Sequence, residues 1–117
     1  MYTILPRESE LSLGPMTQLI PVLPISALAE GEHHVVRVAN QEVLLCNVEG
    51  QYYALQGRCS HAGQSLVSAR LCGYEITCPL HGARFDVRSG MCLSAPATQP
   101  IERFPVLLEG GKVCVVL

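Results

Sequence analysis

Apolar residues in this chain gather in short runs separated by Gly, Pro and charged residues, and the runs alternate in the manner of strands rather than helices. Residues 35–38, 42–48 and 52–55 read as strands. The latter two join at Glu49-Gly50, a pair suited to a tight hairpin. Residues 71–77 read as one strand. Residues 85–87 and 91–93 flank Arg88-Ser89-Gly90, and residues 106–109 pair with 112–117 across Gly110-Gly111. Upstream, Pro21 and Pro24 punctuate an extended stretch. Ser26 is placed to N-cap one short turn of helix through Ala29, ended by Gly31. Short strands at regular spacing with Gly-rich turns predict an all-β fold, an antiparallel sandwich or barrel.

Length and composition narrow the class. A chain of 117 residues makes one domain, and 49% hydrophobic residues make it globular. Eight basic residues stand against ten acidic ones, with no basic block for nucleic acid or an anionic membrane. Residues 1–15 carry Arg7, Glu8 and Glu10 and no apolar run of signal-peptide or membrane-spanning length. They read as an extension preceding a single domain at 16–117, and the protein is expected to be soluble and cytoplasmic. Six cysteines invite a disulfide reading. Cys46 and Cys114, however, sit in strand-like runs where a free thiol acts as a small hydrophobe. Cys72 and Cys92 lie nearer turns, and whether they approach each other stays open. Free thiols in this number fit a reducing compartment.

The chemistry concentrates in two short clusters, Cys59-Ser60-His61 and Cys78-Pro79-Leu80-His81, with sixteen residues between them. Each offers one thiolate and one imidazole across a tight turn. Two Cys and two His suit a mixed-ligand [2Fe–2S] centre, in which two sulfurs hold one iron and two histidines the other. They also suit tetrahedral zinc, although Cys-x-His is tighter than the two to four residues usual between zinc ligands. His33 and His34 lie in a polar stretch read as an exposed turn, their side chains pointing oppositely and taking no ligand role. Tyr52 and Tyr53 read as alternating strand residues, one in and one out.

The stretches Cys59-Ser60-His61-Ala62-Gly63-Gln64-Ser65-Leu66 and Cys78-Pro79-Leu80-His81-Gly82-Ala83-Arg84-Phe85-Asp86-Val87 resemble the two cluster-binding loops of the Rieske family. Ser89-Gly90 through Ala95-Pro96-Ala97 resembles that family's proline-containing covering loop, although Ala95 stands where Gly often precedes the Pro. The resemblance implies a basal β domain with a small cluster-binding subdomain at about residues 57–97. It implies one Rieske [2Fe–2S] cluster held by Cys59, His61, Cys78 and His81. Imidazole in place of thiolate leaves the oxidised centre neutral, which raises its potential above that of a four-cysteine cluster. High-potential members of the family place a Ser and a Tyr where this chain has Ala83 and Phe85, and an extra Cys where it has Gln64 and Leu80. Fewer donors to the cluster sulfurs imply the low end of the Rieske range, on the order of −150 mV.

That pattern is similar to the soluble ferredoxins of bacterial aromatic-ring-hydroxylating dioxygenase systems. The resemblance implies an electron carrier, not an enzyme, passing electrons from an NAD(P)H-dependent flavin reductase to a terminal oxygenase. Ligand imidazoles at the tip would give the electron a short exit. Ala62, Gln64, Leu80 and Pro96 would form an apolar docking collar, and Arg58, Arg84 and Glu75 would either steer docking or be solvated structural charges. An oxygenase subunit would need a further domain with mononuclear iron. With His61 and His81 taken, only the adjacent His33 and His34 remain for it. The alternative is a small accessory subunit of a nitrite reductase or another oxidoreductase.

Overall fold

Residues 43–48 are all buried, which places their strand between two layers. The computed structural model describes residues 18–60, 63–79, 82–94 and 99–117, so the expected extension at 1–15 lies outside it. Ten strands are present in chain order: β1 Leu19–Pro24, β2 His33–Val38, β3 Gln41–Val48, β4 Gln51–Gln56, β5 Arg70–Cys72, β6 Glu75–Thr77, β7 Arg84–Asp86, β8 Arg103–Phe104, β9 Val106–Glu109 and β10 Lys112–Val116. All pairings are antiparallel, and two short 3₁₀ turns are the only helical segments among the described residues.

The strands form three sheets, ordered β1-β10-β9, β2-β3-β4-β8 and β5-β6-β7. The period of two along β3 explains how they stack. Val43 and Leu45 point to a core shared with Leu28, Ala54, Val113 and Val115. Leu44, Cys46 and Val48 point the other way, into a core shared with Leu66, Ile76, Phe85 and both Cys59 and Cys78. One face of the central sheet therefore packs on the terminal sheet and the other on the ligand-loop region. A strand buried on both faces reads as a continuous apolar run, as Val43-Leu44-Leu45-Cys46 does.

Most expected strands appear within a residue or two of their sequence bounds. Several details differ. Residues 71–77 are two strands, because Gly73-Tyr74 turns the chain back and pairs Cys72 with Glu75. Residues 91–93 make a single bridge, Phe85 to Cys92, rather than a ladder. Ser26 caps nothing: the turn is a 3₁₀ segment, Ile25–Ala27, with Pro24 at its N-cap and no side-chain cap bond. β1 and the two-residue β8 are strands through tertiary pairing, with β10 and β4 respectively. Pro21 fits β1 because that strand lies at a sheet edge. His33 and His34 begin β2 instead of occupying a turn; His33 is half-buried and His34 exposed, on opposite sides as expected. Tyr52 and Tyr53 do alternate, but each packs against a different core.

The small sheet settles the question about Cys72 and Cys92. Leu71, Ile76, Phe85 and Cys92 lie in one cross-strand row, so Cys72 and Cys92 sit on opposite edges of that sheet. Three strand spacings amount to roughly 14 Å, about twice the Cα separation a disulfide spans. All six thiols are free of disulfides.

Candidate metal centre

Two loops, one following β4 of the central sheet and one following β6 of the small sheet, share the same local construction. In the first, the Cys59 N–H donates to the Gln64 carbonyl at 2.8 Å, and the Gly63 N–H returns to the Cys59 carbonyl at 2.8 Å. In the second, the Cys78 N–H donates to the Ala83 carbonyl at 2.7 Å, and the Gly82 N–H returns to the Cys78 carbonyl at 3.1 Å. Each loop is thus closed four residues after its cysteine by a glycine at positive φ, +68° at Gly63 and +77° at Gly82. An L-side chain at either position would be strained. The equivalence matches the sequence, where Cys and Gly stand four apart in both loops.

Both cysteines are buried, at 1% and 2% exposure, and belong to one core with Leu66, Ala83 and Phe85. Two buried cysteines in one apolar core cluster, at equivalent positions of twin turns, suit a shared metal or cluster. Cys46 differs: burial pushes its thiol up to about 12, so it stays protonated and serves as core filling. Burial also raises the Cys114 thiol. The remaining expected ligands, His61 and His81, lie outside the described residues, as do Ala62, Leu80 and Pro96 of the expected docking collar. Gln64, the remaining collar residue, is exposed.

Neighbouring contacts hold the loops in place. Arg58 donates to the Gly63 carbonyl at 2.7 Å and forms an ion pair with Glu42 at 2.8 Å, clamping the first loop to β3. Leu66 donates to the Gly57 carbonyl, and Gly57 lies so close to Glu42 that a Cβ would come within 2.9 Å of its backbone. Ser65 accepts from the Val67 N–H and caps the 3₁₀ turn Leu66–Ser68. The Ser60 hydroxyl donates to the Gln99 carbonyl at 2.6 Å, joining the first loop to the chain beyond residue 98. Neither the Arg58 clamp nor the Ser60 tie was legible in the sequence, because two of the acceptors are main-chain carbonyls and Glu42 and Gln99 lie 16 and 39 residues away along the chain. Arg84 pairs with Glu75 at 2.9 Å, so two of the cations considered for docking already have carboxylate partners.

A family model described as the Rieske [2Fe-2S] domain matches residues 18–105. The ferredoxin component of a naphthalene 1,2-dioxygenase system from Pseudomonas aeruginosa is 40% identical over 98 residues, covering 84% of this chain and 94% of that protein. The ferredoxin subunit of a 3-phenylpropionate/cinnamic acid dioxygenase from Shigella flexneri is 38% identical over 96 residues, covering 80% of this chain and 89% of that protein. Among solved structures, the ferredoxin of carbazole 1,9a-dioxygenase from Nocardioides aromaticivorans superposes with a TM-score of 0.80 at 30% identity, covering 84% of this chain and 96% of that one. A ferredoxin solved in complex with its reduced oxygenase, also of a carbazole 1,9a-dioxygenase, gives 0.78 at 35% identity, covering 83% of this chain and 91% of that one.

Proposed function

The chain belongs to the Rieske [2Fe-2S] domain family, and from that premise we propose that it carries single electrons from an NAD(P)H-dependent flavin reductase to a terminal ring-hydroxylating oxygenase. The cluster, when bound, takes up and gives up one electron. Cys59 and Cys78 would hold one iron through thiolates, and His61 and His81 would hold the other. The observation that carries this reading is the pair of buried cysteines at equivalent positions of two identically closed loops. The similarity to dioxygenase ferredoxins along nearly their whole length supplies the system.

The chain's own residues set the conditions for the electron. Leu66, Ala83 and Phe85 pack in one apolar core with both cysteines. Ala83 and Phe85, both fully buried, present no hydroxyl there, which favours a low potential suited to passing electrons onward. Loops 59–63 and 78–82 form a cluster-binding subdomain within residues 57–97, with Gln64 among the exposed residues that meet a partner. No helix among the described residues is long and apolar enough to cross a membrane. Six cysteines without a disulfide favour a cytoplasmic setting.

The test is reconstitution of the cluster-loaded protein with NADH, a flavin reductase and a terminal oxygenase of the naphthalene 1,2-dioxygenase type. The reading predicts that the reduced protein is reoxidised by the oxygenase and that hydroxylated product requires its presence. Turnover of an aromatic substrate by this chain alone would contradict it.

A further inference from the structure

The formal charge of this chain is unevenly distributed. Between Gly57 and Leu93 there are four arginines (Arg58, Arg70, Arg84, Arg88) and two carboxylates (Glu75, Asp86), a net of plus two. Residues 18–56 and 99–117 together hold three cations and six glutamates, a net of minus three. An oxidised cluster with two thiolates is neutral, so the ligand-loop end stays at plus two when loaded and falls to plus one on reduction. The protein is acidic as a whole and basic where its electron leaves.

The small sheet gives this charge a position. Its inward face is Leu71, Ile76 and Phe85, while Arg70, Thr77 and Arg84 face outward in one cross-strand row. Thr77 immediately precedes Cys78, so the row's two arginines flank the strand that enters the second ligand loop. Their surroundings differ. Arg84 is paired with Glu75, as Arg58 is with Glu42 and Arg88 with Asp86. Arg70 is exposed and makes no ion pair among the described residues. It lines an open cavity of about 370 Å³ with Ser68, Thr77, Cys78, Pro79 and Gly82. That cavity has hydroxyls and one guanidinium but no carboxylate, and it abuts a proposed iron ligand.

We propose that this face is an electrostatic docking site for a carboxylate-bearing surface of the acceptor oxygenase, with Arg70 its principal anchor. The inference rests on the electron-carrier reading and deepens it by naming the partner's chemistry. A solvated arginine without a carboxylate of its own is free to pair with an incoming one, and guanidinium suits bidentate carboxylate recognition. Attraction at the exit face would orient encounters that the protein's overall negative charge would otherwise not favour.

Two small oxidants of opposite charge test it on the cluster-loaded, reduced protein. Ferricyanide, a trianion, takes one electron and becomes ferrocyanide; hexaammineruthenium(III), a trication, takes one electron likewise. With a basic exit face, the ferricyanide rate falls by about threefold between roughly 10 and 200 mM salt, and the ruthenium rate rises. Arg70→Gln reduces the ferricyanide salt dependence by about half, Arg70→Lys restores it, and Lys112→Gln on β10 leaves it unchanged. A ferricyanide rate that rises with salt, as overall charge dictates, would overturn the inference and leave the electron-carrier reading intact. So would a salt dependence unmoved in Arg70→Gln. A reduced protein that passes electrons to neither oxidant would overturn both.

Discussion

Gly90 and Ile101 touch through their backbones: the Ile101 N–H donates to the Gly90 carbonyl at 2.9 Å, while the Ile101 carbonyl occupies the space a Gly90 side chain would need. Gly90 also holds φ at +82°. The contact closes the base of the segment that resembles the family's covering loop. Gly90→Ala therefore meets both left-handed strain and a backbone collision, and should destabilise the protein by about 2 kcal/mol or more. Urea unfolding read by cluster absorbance and by circular dichroism checks it. Loss of both signals at lower urea is the expected outcome.

Ser60→Ala removes the hydroxyl that reaches the Gln99 carbonyl across the loops. A single side-chain hydrogen bond of this kind contributes about 1 kcal/mol, so global stability should fall modestly. The first loop should be affected more. Cluster bleaching in air should accelerate severalfold, while the folded spectrum at the outset stays that of the parent.

Ala83 and Phe85 lie fully buried beside the cysteines, so a hydroxyl introduced at either has no water to satisfy it. Ala83→Ser and Phe85→Tyr should each raise the midpoint potential, by roughly 40–80 mV if the new donor gains 1–2 kcal/mol on reduction. Redox titration checks this. Unchanged potentials in both variants would show that neither hydroxyl reaches a cluster sulfur.

His33 supplies a pH dependence with a definite sign. Burial, and secondarily the charge of His34, hold its imidazole below the ordinary 6.5, partly offset by the Val67 backbone. Its Nε2 is buried without a hydrogen-bond partner. The unfolded chain therefore takes up the proton first as pH falls through about 6.5. Stability drops from there until the folded-state pKa is passed, then levels off. Urea midpoints at pH 7.5 and 5 should differ less in His33→Gln than in the parent.

Much of this architecture was legible because apolar runs and turn residues report local structure directly. Residues 42–48 announced a strand, and Glu49-Gly50 its hairpin. The two cysteine loops were legible because ligand spacing and Gly placement are local as well. What escaped depends on distant partners. β8 is two residues long and exists only because β4 accepts it, and β1 carries two prolines that no local rule places in a ladder. Residues 71–77 looked continuous because Gly73-Tyr74 interrupts an otherwise apolar run by a turn too short to register. His33 looked exposed from its charged neighbours, yet pairing with Cys46 draws it toward the core. That Arg70 alone of the four arginines between Gly57 and Leu93 lacks a carboxylate among the described residues shows only once Arg58, Arg84 and Arg88 are seen with theirs.

Everything proposed for this chain depends on Cys59, His61, Cys78 and His81 holding a [2Fe–2S] cluster. Electron paramagnetic resonance of the anaerobically reduced protein, with nitrogen couplings resolved, tests it most directly. The expected signal has average g below the free-electron value and coupling to two imidazole nitrogens, and is lost in Cys59→Ser and Cys78→Ser. A silent spectrum with stoichiometric zinc, or a signal without nitrogen coupling, would contradict it.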